Sequence, residues 1–279
     1  MTETGTTERI EKVKQIVSEA SKIALGYFGR TTGMLKKDNS IVTQADIEVG
    51  KFLTEKLTGS FPGYGIINEE CETNNHISDQ SESRHIWVID PIDGTSAFNA
   101  RLPIWGISVG LLKYSRTDCT NCLRPVLGMI YLPVLDEYYY TDEGIPAYFE
   151  SPRWGKLQMD LRNAVERPDN EMLICSTSDV HRTLNIDFGG KVRSLGSTSA
   201  HFCFVTRGDA VGAITAGYLW DIVMGMAILE KAGGRVVNLD GSTPDITSIE
   251  KKPGRYMLAA SEQRLPELIK KISLKEIRQ

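Results

Sequence analysis

Residues 87–95 read W-V-I-D-P-I-D-G-T. Trp87, Val88 and Ile89 form a short apolar run of the kind expected for a buried strand. The run meets Asp90 and Pro91. A proline cannot donate to a β-ladder, so the strand is expected to stop at Asp90. Asp93 follows three residues later, then Gly94, which permits a sharp turn, and Thr95, which can cap a following helix. Two carboxylates therefore stand at a strand end that feeds a helix N-terminus. Such ends bind anions in α/β proteins. Acids placed there make physical sense when a cation lies between them.

Outward from this stretch, Tyr64–Asn68 is a second short strand signal, and it ends in Glu69 and Glu70. If the two strands are neighbours, the carboxylates converge. Two such charges about 4 Å apart repel by about 4 kcal/mol at an effective dielectric of about 20. A divalent cation relieves that repulsion, and an all-oxygen ligand set without nearby His or Cys favours Mg²⁺ or Mn²⁺ over zinc. Asp46 sits three residues after Thr43 at capping-box spacing, so it is either a helix-start acid or a carboxylate aimed at the same centre. Asp221, in the first turn of a helix beginning near Leu219, carries the same two readings. Gly196, Ser197 and Thr198 open another helix. They either cap it or offer amides and hydroxyls to an anion.

The remaining pattern mixes helices and strands. Apolar residues recur at helical spacing from Glu8 to Phe28, with Gly29 as a stop, and from Thr43 to Leu57. A polar loop spans Glu72–Arg84. Strands are expected at 104–112, 126–131, 137–140, 172–176, 211–215, 236–238 and 256–260. A closing amphipathic helix is expected over Leu265–Ile277. The segment 141–169 carries turn and charge signals, so one domain over 1–279 with soft halves at 1–145 and 155–279 is expected.

The 279 residues suffice for one large domain. No apolar run approaches the roughly 20 residues that span a bilayer, and the polar N-terminus lacks a signal-peptide core. A net charge of −4 argues against a general nucleic-acid binder. Five scattered cysteines do not form a disulfide framework. Cys119 and Cys122 read as a chance surface pair or a redox-sensitive one, and a reducing, cytoplasmic setting fits. The motifs G-x-x-x-x-G-K-[ST], G-x-G-x-x-G, H-E-x-x-H and G-x-S-x-G are absent, and the four histidines lack acid–base spacing.

Taken together, V-T-Q-A-D ending at Asp46, I-I-N-E-E at 66–70, W-V-I-D-P-I-D-G-T, R-S-L-G-S at 193–197 and L-W-D-I-V-M-G-M-A-I-L-E-K-A-G-G at 219–234 resemble the inositol monophosphatase family. The resemblance covers nearly the whole chain. It implies an α+β or α/β fold, the layered αβαβα sandwich of the inositol monophosphatase and fructose-1,6-bisphosphatase type. It also implies hydrolysis of a small phosphate monoester with two or three Mg²⁺ ions, Mn²⁺ being able to substitute. By resemblance the metal ligands are Glu69, Asp90, the carbonyl of Ile92, Asp93 and Asp221. Thr95, bonded toward Asp46, orients the attacking water, with Glu70 as a supporting acid. Gly94, Thr95 and Ser96 receive phosphate, and Gly196, Ser197 and Lys36 join the phosphate and substrate contacts. A homodimer is implied as well.

Two positions depart from the family's pattern, and the second bears on substrate. Asn68 stands where the family usually has Gly before the paired acids. Thr215 matches, across a one-residue gap, an acid that contacts inositol hydroxyls. A-F-N-A-R-L-P-I-W-G resembles histidinol-phosphate phosphatases, and related enzymes hydrolyse fructose 1,6-bisphosphate, so the resemblance sets both beside inositol phosphate as candidate substrates. D-P-I-D-G-T-S-A-F differs from the D-P-L-D-G-T-K-E-F typical of the 3′-nucleotidase branch, which counts against that branch. A non-catalytic metal- or phosphate-binding regulator is the reading from another class. The loss of a ligand or of Thr95 would favour it, and the chain shows neither loss.

Overall fold

The W-V-I run is continuously apolar because both faces of its strand are covered. In the computed structural model, Ile86 and Val88 point into one core, and Trp87 and Ile89 into another. The structure describes residues 3–36, 40–71, 84–115, 122–164, 168–249 and 256–275. Cys119 and residues 72–83 of the polar loop lie outside them, so the Cys119/Cys122 pairing falls partly outside the described residues.

The first half runs α1 (Glu3–Tyr27), β1 (Met34–Leu35), β2 (Ile41–Val42), α2 (Gln44–Ser60), β3 (Gly65–Asn68), β4 (His85–Asp93) and α3 (Thr95–Asn99). Then come β5 (Gly106–Ser115), β6 (Cys122–Leu132), β7 (Glu137–Thr141), β8 (Tyr148–Ser151) and β9 (Gly155–Gln158). The second half has β10 (Leu173–Ser176), α4 (Val180–Thr183), β11 (Leu184–Ile186), β12 (Lys191–Arg193), α5 (Thr198–Thr206) and β13 (Gly212–Thr215). It ends with α6 (Leu219–Lys231), β14 (Gly234–Asn238), α7 (Ile246–Ile249), β15 (Met257–Ser261), α8 (Leu265–Lys271) and β16 (Ile272–Leu274).

Strands β3 to β9 form one sheet in sequence order, with β3 parallel to β4 and the rest antiparallel. A second sheet has the order β12-β10-β13-β15-β14. Helices α1 and α2 cover the outer face of the first sheet, α5 and α6 fill the space between the sheets, and α8 packs on the second. This is the expected αβαβα layering.

Several expectations shift. Strand β4 does not stop at Asp90 but continues through Pro91 to Asp93. Asp90 pairs with Ser108 and Asp93 with Gly106, so Pro91 and Ile92 together face Ile107 in a bulge. A bulge needs no ladder donor from its extra residue, which is why proline is tolerated. Strands β8 and β9 add to the first sheet, so the expected seam at 145–155 falls inside that sheet. The closing helix ends at Lys271, because Ile272–Leu274 pairs antiparallel with β11 and buries Ile272.

The inner helix layer presses close to the first sheet at Gly128. A Cβ there would overlap the Met224 carbonyl oxygen of α6. A backbone atom cannot swing aside as a side chain can. Gly128→Ala is therefore expected to destabilise by about 2 kcal/mol, lowering the thermal midpoint by about 4–8 °C. A calorimetric scan within 1 °C of the parent would show that the layers have slack.

Candidate metal and phosphate site

In a regular strand Asp90 and Asp93, three residues apart, would face opposite sides. The bulge at Pro91–Ile92 inserts the residue that returns both to one side. Ligand atoms of Asp90, Asp93 and Asp221 lie within 4.8 Å of one another. Asp221 comes from the first turn of α6, where its Oδ2 also accepts the Tyr218 amide at 2.6 Å. Asp221 therefore caps α6 and also lies in the acid cluster. Strand β3 lies parallel to β4 with Asn68 opposite Ile89, and the Glu69 amide donates to the Ile89 carbonyl at 3.2 Å. The two acid-tipped strand ends are therefore neighbours, as expected.

Asp93 is held by four donors. Its Oδ2 accepts from the Ser197 hydroxyl at 2.6 Å, the Ser199 amide at 2.5 Å and the Ser199 hydroxyl, and its Oδ1 accepts the Thr198 amide at 3.2 Å. The G-S-T-S start of α5 thus meets an anion, and that anion is the Asp93 carboxylate. The amides of Thr198 and Ser199 are spent on it. Ser197 caps α5 through the Ala200 amide and touches the centre through Asp93. Gly196 (φ 90°) lies close against Gly94, where an added Cβ would come within 2.7 Å of the Gly196 carbonyl oxygen. The Gly-Ser-Thr start of α5 marks it locally as an anion receptor. That its anion lay 104 residues upstream was not legible.

Gly94 is the N-cap of α3 in the left-handed conformation that suits glycine, so Thr95 is the first helical residue and not the cap. The Thr95 hydroxyl lies 3.0 Å from Asp46 Oδ1 and 3.0 Å from the Ile92 carbonyl oxygen. The two oxygens of Asp46 have different partners. Its Oδ2 accepts the Thr43 amide and hydroxyl at 2.8 and 2.5 Å, capping α2, while Oδ1 reaches Thr95. Helix α3 is short, and Phe98 anchors it by packing against Trp105 (4.8 Å between centroids, edge-on) and Phe28 (5.4 Å). First-turn amides have no acceptor within their own helix. Those of Thr95 and Ser96 stand at half-buried and exposed positions.

Lys36 places its Nζ 2.6 Å from Glu70 and 3.2 Å from Glu69. Burial alone would lower its ammonium, and the two glutamates beside it outweigh that and raise it. Asn68 fixes this corner. Its Nδ2 donates to the Gly50 carbonyl and to Thr54 of α2, both at 3.0 Å, and its Oδ1 accepts the Glu70 amide at 3.0 Å. The departure from Gly at this position therefore ties the paired acids to α2. Thr215 is fully buried in β13, its hydroxyl without a partner among the described residues, so it does not line the site surface.

Burial, and then the neighbouring Glu69, Asp93 and Asp221, push the Asp90 carboxyl far above its ordinary range. Asp221 is raised in the same way by burial and then by Asp93 and Glu69. Burial pushes Glu69 up to about 7, against the pull of Lys36. Burial also raises Asp93, while its four donors pull it back. Asp90 Oδ1 is buried without a hydrogen-bond partner among the described residues. A buried carboxylate oxygen without a donor, in a cluster of like charges, is a fit for a hard cation held by oxygens.

The sequence profile of the inositol monophosphatase family matches residues 6–275. A 3′(2′),5′-bisphosphate nucleotidase CysQ from Aggregatibacter actinomycetemcomitans is 30% identical over 245 residues, covering 84% of this chain and 86% of that protein. An inositol-1-monophosphatase from Mesorhizobium japonicum is 28% identical over 218 residues, covering 74% and 75%. Among solved structures, the extragenic suppressor protein suhB from Bartonella henselae has a TM-score of 0.76 at 21% identity, covering 94% of this chain and 97% of that one. That likeness extends to the fold.

Proposed function

The chain belongs to the inositol monophosphatase family of phosphatases, and on that premise we propose that it hydrolyses a small phosphate monoester with Mg²⁺ as its working ion. One observation carries the reading: Asp90, Asp93 and Asp221 converge beside the Thr95–Asp46 pair at the start of α3. Asp90, Asp93, Asp221 and Glu69, with the Ile92 carbonyl, would hold the ions, and Glu70 would support them. When bound, divalent cations supply positive charge for the phosphoryl oxygens and acidify water.

The remaining steps belong to the chain. The first-turn amides at Thr95 and Ser96 bind and orient the phosphate at the start of α3. With its proton directed at Asp46 Oδ1, Thr95 presents oxygen lone pairs that accept a hydrogen from the attacking water and aim it in line. Asp46 is held in place for this by Thr43. Asp93 is fixed by α5, so the second half of the chain sets the position of an acid from the first.

Phosphate release from inositol 1-phosphate, histidinol phosphate, fructose 1,6-bisphosphate and adenosine 3′,5′-bisphosphate, with Mg²⁺, tests the reading and ranks the substrates. The nucleotide belongs in the panel because the CysQ relative carries that activity in its name. No turnover of any of them by folded protein counts against the reading and favours a binding protein. Thr95→Ala should lower kcat by about a hundredfold or more with little change in KM. A kcat within threefold of the parent would remove Thr95 from this role. A cytoplasmic homodimer is part of the same proposal, and sedimentation reads its assembly.

A further inference from the structure

Helix α5 carries a histidine that the chemistry above leaves unused. His201 is 2% exposed, and its Nε2 accepts the Leu195 amide at 3.1 Å. The proton of the neutral ring therefore sits on Nδ1, which is buried with no hydrogen-bond partner among the described residues. Burial pushes the ring down to about 4, so it stays neutral near pH 7. A buried donor without a partner is unfavourable, and a leucine would fill the space without one. Packing alone does not account for an imidazole here, and the bond to Leu195 does.

That bond closes the turn Leu195–Gly196–Ser197. The far side of the turn is the grip on Asp93, made by the Ser197 hydroxyl, the Thr198 and Ser199 amides and the Ser199 hydroxyl. Its middle is Gly196, whose carbonyl lies against Gly94, the N-cap of α3. The His201 amide also donates back to the Ser197 carbonyl at 3.2 Å. A shift of the turn would move all four donors to Asp93 together and would press on Gly94.

We propose that His201 is a positioning residue of the carboxylate centre: by accepting the Leu195 amide it locks the 195–197 turn, and through Ser197, Thr198 and Ser199 it holds Asp93 in place to bind a cation. The proposal rests on the metal-dependent reading above.

Calorimetric titration of the metal-free protein with Mn²⁺ tests it, alongside His201→Leu and His201→Gln. The glutamine oxygen can reach the Leu195 amide, whereas leucine offers no acceptor. His201→Leu should bind Mn²⁺ about tenfold more weakly, as outer-shell changes do, and His201→Gln should recover most of that loss. Equal affinity of the parent and the leucine variant overturns the proposal, as does equal weakening in both variants. If the leucine variant does not fold, hydrogen exchange at the Leu195 amide of the parent decides. Mg²⁺ should slow it several-fold, and an unchanged rate overturns the proposal. Failure of the parent to bind Mn²⁺ sinks the metal reading and this proposal together, an outcome distinct from binding that ignores His201.

Discussion

Asp93→Asn is expected to lower phosphate release by about a thousandfold or more, equivalent to about 4 kcal/mol of transition-state stabilisation, while the protein stays folded. The reason lies in the count of donors. Oδ2 of Asp93 faces three donors and Oδ1 faces one. An amide has a single acceptor oxygen, so in either orientation its NH₂ meets a donor. It also removes one of the three charges that converge between β4 and α6. Burial already raises the Asp93 carboxyl, so neutralising it relieves a desolvation penalty and the metal-free fold should tolerate the change. The measurement is kcat/KM at saturating Mg²⁺, with the thermal shift on adding Mg²⁺ as a second reading. Activity within tenfold of the parent would remove Asp93 from the cation site.

The second large effect concerns stability against pH. Glu69 in the folded state titrates near 7, and Asp90 and Asp221 are raised well above their ordinary range, all through burial first. In the unfolded chain these groups release their protons near pH 4. Above that pH the folded protein still holds protons that the unfolded chain has lost, so stability falls as pH rises. For Glu69 alone the window runs from about 4.5 to about 7, worth on the order of 3 kcal/mol. Metal-free protein should thus be markedly less stable at pH 7.5 than at pH 5. Mg²⁺ at about a hundred times its dissociation constant should restore about 2.7 kcal/mol at pH 7.5. Urea unfolding at both pH values, with EDTA or with Mg²⁺, reads both effects. Stability that climbs with pH in EDTA, or that ignores Mg²⁺, contradicts the electrostatic account.

What the sequence made legible was local. The apolar run 87–89, the acids that follow β3, the Thr43–Asp46 capping box and the helix starts near Leu219 and Thr198 all rest on short-range patterns, and all of these features form. What it hid was tertiary. Strand β9 is exposed along its whole length, so no alternation marks it, and only its pairing with β8 makes it a strand. Ile272–Leu274 follows two lysines in helical phase and becomes a strand because β11 offers an edge. The bulge that turns Asp90 and Asp93 to one side exists only against Gly106 and Ser108. The anion awaited by α5 proved to be a side chain of the other half. Asp46 could not be assigned to one role from its spacing because it has two, one for each oxygen.

The central claim is that the oxygens of Asp90, Asp93 and Asp221 hold divalent cations that this chain uses to cleave phosphate monoesters. Phosphate release by the unaltered protein, measured across the substrate panel as Mg²⁺ is raised from EDTA-treated conditions to saturation, tests it most directly. The account predicts no release in EDTA and a saturable rise with Mg²⁺ on at least one substrate. Release that persists undiminished in EDTA, or none from any substrate at saturating Mg²⁺, would contradict it.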